Sequence, residues 1–267
     1  MADREIVVLG ATGSTGRRVA ALLRDAGHPV RAASRHGEVR FDWSDERTWR
    51  PAVAGATAMY LMAPHELPVD PAFVATAVEA GVGRIVLLSS GGIEAMGDER
   101  LMAAERTVRG SGAEWTILRP SWFDQNFDEG VMREAVLAGE LALPLGDLRQ
   151  AFVDAGDIAA VAAAALVEDG HAGRAYEVTG PRALSFPKAL RIIGSAAGRR
   201  IGYVGTAEGY LAAMTAAGLP RERVEAEIEA FAGLRALGDQ VPTDVVERVT
   251  GRPPTSFESF AARASWN

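Results

Sequence analysis

Short aliphatic runs at 6–9, 30–33, 39–42, 58–62, 85–89 and 115–118 alternate with longer stretches in which apolar residues recur at helical spacing. The runs are nearly continuous in Val, Ile, Leu and Ala, as strands buried on both faces require. The spacing between them predicts helices over 14–25, 46–53, 72–80 and 98–110. Each helix ends at or near a glycine, and short connections such as Ala26-Gly27-His28 and Gly81-Val82-Gly83 lead into the next run. Strand and helix alternating in this way are the signature of βαβ units and a parallel sheet.

After Pro120 the pattern loosens. It predicts a helix over 127–139, a short strand over 140–144, an alanine-rich helix over 158–166 with Asp154 and Asp157 as caps or dipole partners, a strand over 175–179 and a helix over 186–197. The remainder is mostly helical, broken at Gly218-Leu219-Pro220 and Gly251-Arg252-Pro253-Pro254. The predicted fold is α/β: a Rossmann-like doubly wound parallel sheet with a small, mostly helical C-terminal lobe. Residues 1–150 form its dinucleotide-binding core. Residues 151–267 supply the remaining core elements and a small lobe that covers substrate.

Seven glycine-turn residues carry the first chemical signal. Gly10-Ala11-Thr12-Gly13-Ser14-Thr15-Gly16 follows the first strand directly and opens the first helix. The first glycine permits a tight turn, the second lets a pyrophosphate approach the backbone, and the third lets helix and strand pack closely. The helix N-terminus adds unpaired amides, and Thr12, Ser14 and Thr15 add hydroxyls. At the end of the second strand, Ala32-Ala33-Ser34-Arg35-His36 holds no acid to accept from a ribose 2′-hydroxyl. Arg35 can pair with a 2′-phosphate and Ser34 can donate to it, so the pattern favours NADP(H), NADPH or NADP⁺, over NAD(H). Asp42 is read as an adenine-side contact or a turn residue.

Composition narrows the remaining chemistry. The 267 residues include no cysteine, which excludes disulfides and Cys-ligated metal. A net charge of -7 argues against a nucleic-acid partner. The longest apolar run, 159–167, is far too short to span a membrane, and the N-terminus lacks a signal-peptide pattern. A cytoplasmic location is expected. Lys188 is the single lysine, and it does not lie four residues after Tyr60, Tyr176, Tyr203 or Tyr210. The Tyr-x-x-x-Lys dyad of short-chain dehydrogenases is therefore absent. There is no G-x-S-x-G, and His28, His36, His65 and His171 lack metal-ligand spacing.

In open α/β sheets, ligands bind beyond the C-terminal ends of the strands. Those positions hold Ala63-Pro64-His65-Glu66, Ser89-Ser90-Gly91-Gly92, and Arg119-Pro120 leading to Trp122, Phe123, Asn126 and Phe127. Ala63, Pro64, Ser89 and Pro120 are read as cofactor contacts. His65 and Ser90 are the two candidate proton donors. His65, Ser90, Gly91, Trp122, Phe123, Asn126 and Phe127 are read as a pocket for a small aromatic or cyclic substrate, although the aromatics suit plain packing under the lobe equally well.

The glycine turn, Phe41-Asp42-Trp43-Ser44-Asp45, Thr116-Ile117-Leu118-Arg119-Pro120-Ser121-Trp122-Phe123 with Asn126-Phe127, and Thr250-Gly251-Arg252-Pro253-Pro254 with Phe257 and Phe260 resemble the NmrA-like atypical short-chain dehydrogenases. Within that family the chain looks most like the ergot-alkaloid reductase (agroclavine dehydrogenase-like) subgroup and its bacterial relatives. The resemblance implies an NADPH-dependent reductase of a quinone, iminium or enone, including aromatic natural-product intermediates. It leaves open a non-catalytic NADP(H) sensor and a non-redox cyclase or epimerase on the same fold. The helix before the sixth strand, Leu101-Met102-Ala103-Ala104-Glu105, lacks a lysine that many relatives keep there. That departure suits an acceptor that is already electrophilic.

Overall fold

The computed structural model describes residues 5–62 and 67–266. The chain runs β1 (Ile6–Leu9), α1 (Ser14–Asp25), β2 (Val30–Ser34), β3 (Val39–Arg40), α2 (Trp49–Val53), β4 (Ala58–Met62), α3 (Pro71–Glu79), β5 (Arg84–Leu88), α4 (Ile93–Met96), α5 (Glu99–Arg109) and β6 (Glu114–Pro120). It continues with α6 (Arg133–Ala138), β7 (Glu140–Ala142), β8 (Arg149–Gln150), α7 (Ala155–Val167), β9 (Arg174–Val178), β10 (Leu184–Ser185), α8 (Phe186–Ala197) and β11 (Gly202–Val204). Four helices close the chain: α9 (Ala207–Ala216), α10 (Arg221–Ala236), α11 (Val245–Thr250) and α12 (Phe257–Arg263).

Seven strands form one sheet in the order β3-β2-β1-β4-β5-β6-β9, and every pairing in it is parallel. Alternate residues of each strand face opposite layers, so the strands are apolar on both sides. Val8, Tyr60, Val86 and Leu118 meet α1 and α7 on one face. Val7, Leu9, Met59, Leu61, Ile85 and Leu87 meet α2, α3 and α5 on the other. The doubly wound parallel sheet predicted from the alternation is thus the fold. A third core joins α6, α8, α9, α10 and α12 around Phe127, Phe152, Phe186 and Phe257. This is the predominantly helical C-terminal part. Among the described residues, no helix is long and apolar enough to cross a membrane.

Local chemistry sets the boundaries. Asp98 and Asp154 cap α5 and α7 by accepting from Leu101 N–H at 3.0 Å and Gly156 N–H at 2.7 Å. Asp157, in the first turn of α7, is buried and accepts from Arg252 at 2.6 Å and from Thr255 N–H at 2.6 Å. That contact ties the Thr-Gly-Arg-Pro-Pro segment to the central sheet. The predicted third strand ends two residues early, because the Asp42 carbonyl is taken by Thr48 and Trp49 of the following turn. The helix predicted over 127–139 is only α6. The amides of Glu129 and Gly130 both bond to Gln125 O, leaving an irregular segment before Arg133.

Candidate functional site

The glycine turn lies where the strand order reverses, between β1 and β4, the crevice that open α/β sheets use for ligands. Gly10 sits at φ +63, a left-handed conformation that glycine adopts freely. A Cβ on Gly16 would come within 2.2 Å of the Gly10 carbonyl oxygen, so only glycine brings helix and strand this close. A Cβ on Gly13 would meet nothing nearer than that same carbonyl at 3.2 Å, which leaves its outer side open for close approach. The first-turn amides of α1 are the unpaired donors of any helix N-terminus.

The side chains at this helix start already hold an anion. Glu129 reaches across from the segment before α6 and accepts from Ser14 Oγ at 2.8 Å, from Arg18 at 2.8 Å, and from Arg17. Burial raises the Glu129 carboxyl's pKa, but the hydrogen bonds from Ser14, Arg18 and Arg17 prevail and hold it below the usual range. Thr15 points the other way: its hydroxyl accepts from Tyr60 Oη at 2.9 Å inside the core. Its backbone, not its side chain, is what the turn can offer a phosphate.

At the end of β2, the Ser34 hydroxyl is buried and has no hydrogen-bond partner among the described residues, while Arg35 is exposed beside it. A Cβ on Gly37 would come 2.5 Å from Ser34 Oγ, so the turn back to β3 closes directly over that hydroxyl. Asp42 Oδ1 accepts from Ser44 N–H at 3.0 Å in its own turn.

Beyond β5 and β6 lies a cleft of about 330 Å³. Ser90, Gly91, Trp122, Phe123 and Asn126 line it, together with Pro120, which the sequence reading assigned to the cofactor, and Ser90 Oγ donates to Gly91 O at 3.3 Å. Phe127 does not line it. That side chain is fully buried against Phe152 and Phe257, because the 3-10 turn at Asp124–Asn126 rotates it into the lobe. Ser89 is likewise turned inward, donating to buried Glu105 at 2.7 Å. Ala63, Pro64 and His65 lie outside the described residues.

Sequence reading missed the wall opposite Trp122. Met96, Leu234 and Leu237 complete the apolar surface, and Phe231 stacks on Trp122 with centroids 6.2 Å apart. The one local signal was Gly233 inside a helix: a Cβ there would meet Ala95 O at 1.9 Å, so glycine lets α10 close onto α4. Gln150, Asp239 and Gln240 bring polar groups to the floor. Glu105 was noted only for not being lysine. It accepts two hydrogen bonds from Arg119, at 2.8 and 2.7 Å, in a bidentate pair that braces the ends of β5 and β6. Burial raises the Glu105 pKa, and the Arg119 and Ser89 hydrogen bonds outweigh it, so the carboxyl sits below its ordinary value. Among the described residues, no group of three His, Asp or Glu is placed to hold a metal.

Residues 10–169 match the NAD(P)H-binding family. The chain belongs to the NAD(P)H-binding, NmrA-like family of oxidoreductases. It is 36% identical over 282 residues to the (4-alkanoyl-5-oxo-2,5-dihydrofuran-3-yl)methyl phosphate reductase of Streptomyces griseus subsp. griseus, covering 96% of each chain. It is 31% identical over 293 residues to a festuclavine dehydrogenase of Aspergillus fumigatus, covering 98% of each. Among solved structures, the NADPH-dependent quinone oxidoreductase QOR2 of Escherichia coli, complexed with NADPH, shares the fold. Its TM-score is 0.73 at 22% identity, over 96% of this chain and 98% of that one. Family membership makes NAD(P)H the cofactor, and the glycine turn with the crevice beside it fits such a dinucleotide. It does not choose among acceptors.

Proposed function

We propose that the protein is an NADPH-dependent reductase of a small, flat, electrophilic acceptor: a quinone, an enone or an iminium. The observation that carries this reading is the cleft beyond β5 and β6, apolar on its Trp122, Met96 and Leu234 side and opening on the same sheet edge as the glycine turn. When bound along that edge, a reduced nicotinamide supplies the hydride.

The chain's own residues bind and orient. The backbone of Thr12, Gly13, Ser14 and Thr15 is placed for the pyrophosphate. Ser34 and Arg35 stand at the adenosine end, where a 2′-phosphate would give the buried Ser34 hydroxyl the partner it lacks. Pro120 and Ser90 lie where the nicotinamide end meets the cleft. Leu234 and Leu237 of the α10 region keep water off the acceptor, which favours hydride delivery by position over acid catalysis. Both named relatives support the reading, since one is a reductase of an oxo-dihydrofuran and the other a clavine dehydrogenase.

The test is NADPH oxidation with a panel of quinones, enones and cyclic iminium ions, alongside NADPH and NADH titrations. Turnover of at least one class is expected, with NADPH bound tighter than NADH. Arg35→Ala should weaken NADPH about tenfold more than NADH. NADPH binding without turnover of any class would overturn the reductase reading in favour of a dinucleotide sensor.

A further inference from the structure

Gln240 lies in the coil after α10 and lines the cleft floor. Its Oε1 accepts two hydrogen bonds, from Ser121 Oγ at 2.6 Å and from Ala151 N–H at 3.0 Å. A backbone N–H can only donate, so the atom facing Ala151 must be the carboxamide oxygen. This fixes the amide's orientation without appeal to hydrogen positions. The chain itself is pinned, because Gln240 N–H donates to Arg149 O at 3.0 Å. Both hydrogens of Nε2 are left with no protein acceptor among the described residues, on a side chain that borders the cleft. An amide held this rigidly, with its donor end unpaired among the described residues on a side chain that lines the cleft, is suited to meet an acceptor atom of something bound there.

The geometry points to Gln240 as the group that anchors a carbonyl oxygen of the acceptor, selecting quinones and enones over iminium ions. This rests on the reductase reading and narrows it. When a conjugated carbonyl takes up a hydride from NADPH, NADP⁺ is left, and the electron pair of the broken π bond moves to the carbonyl oxygen as an enolate or phenolate. A proton from water completes the product. A fixed N–H donor stabilises the negative oxygen more than the neutral one. An iminium ion offers no such oxygen and carries positive charge, which an N–H dipole repels. Ser121 also borders the cleft, but its hydroxyl hydrogen is given to Gln240, so it acts as a positioning residue.

The test compares 1,4-naphthoquinone with N-methyl-3,4-dihydroisoquinolinium on the wild type, Gln240→Leu and Gln240→Glu. Two readouts are taken: kcat and KM with NADPH, and binding to the NADP⁺-loaded protein followed by tryptophan fluorescence. Gln240→Glu keeps the size and both acceptor contacts, but turns a carboxylate oxygen toward the cleft. Gln240→Leu should lower kcat/KM for the quinone about 10- to 100-fold. It should weaken quinone binding while changing NADPH affinity and iminium turnover by less than about twofold. Gln240→Glu should lose the quinone and gain on the iminium. Ser121→Ala should shift mainly the quinone KM, and Ser121→Thr should restore it. Equal losses on both acceptors, or quinone binding unchanged in Gln240→Leu, would overturn the assignment. If the wild type turns over no member of the quinone, enone and iminium panel, the reductase reading fails. The binding arm then decides Gln240 alone: no quinone binding, or binding indifferent to Gln240, overturns it.

Discussion

Asp124 holds a buried carboxyl that no other described residue hydrogen-bonds. The residue is 0% exposed, and neither carboxyl oxygen has a partner among the described residues. Two further acids, Asp154 and Asp157, lie close by, and the nearby cation Arg263 is already paired with Asp154. Burial first, and the two neighbouring carboxylates second, push the Asp124 pKa well above its ordinary range. The folded protein therefore keeps a proton that the unfolded chain releases. The sign follows: the stability tied to this proton is fully present below the ordinary carboxyl range and is lost as pH rises toward the folded-state value. Each pH unit in that window costs about 1.4 kcal/mol. Between pH 5 and pH 7 the upper bound is about 3 kcal/mol. Asp124→Asn keeps the shape and removes the titration. The variant's stability relative to wild type should therefore climb from pH 5 to pH 7 by up to that amount, or about 6–12 °C in Tm for a chain of this size. Urea unfolding of both proteins at several pH values, read by tryptophan fluorescence, measures it. Groups that titrate equally in both proteins cancel in the difference. A difference that stays flat with pH, or shrinks toward pH 7, would refute the reasoning.

The other predictions concern the two ends of the cofactor crevice. Gly16→Ala drives a Cβ to within 2.2 Å of Gly10 O; it should cost about 1–3 kcal/mol in thermal unfolding and weaken NADPH at least about tenfold, with unchanged affinity as the contrary result. Glu129→Gln removes a negative charge held by Ser14 and Arg18 at the start of α1, so NADPH should bind about 3- to 10-fold tighter at low salt, the gain shrinking as salt rises. Titrations at two ionic strengths check both halves of that statement. Glu105→Ala strips a buried partner from Arg119 and should destabilise by about 3 kcal/mol, the low end for breaking a buried pair, because Glu94 at 2.6 Å remains with the guanidinium. Because the Glu105 pKa lies below its ordinary value, its contribution is present above the ordinary carboxylate range and is lost as pH falls through the folded value. The wild type should therefore lose more stability than Glu105→Ala on acidification.

The order of strands and helices in the first half, the parallel sheet, the glycine turn and the line of candidate residues beyond β5 and β6 were legible in the amino-acid sequence. Each depends on neighbours in the chain: a period of two or of 3.6, a cap, or a glycine where φ turns positive. Ser90, Gly91, Pro120, Trp122, Phe123 and Asn126 reached the cleft because a strand end delivers the residues that follow it to the same edge. Phe127 did not, because a one-residue rotation in a 3-10 turn exchanges pocket for core, and the sequence carried no mark of that turn. The contacts that shape the site came from tertiary structure. Glu129 meets Ser14 across 115 residues, and Gln240 meets Ser121 across 119. No periodicity encodes such meetings. They exist because the chain leaves the sheet after β6, re-enters it as β9 and leaves again to finish the helical part, and that path is set by packing of the whole apolar surface at once.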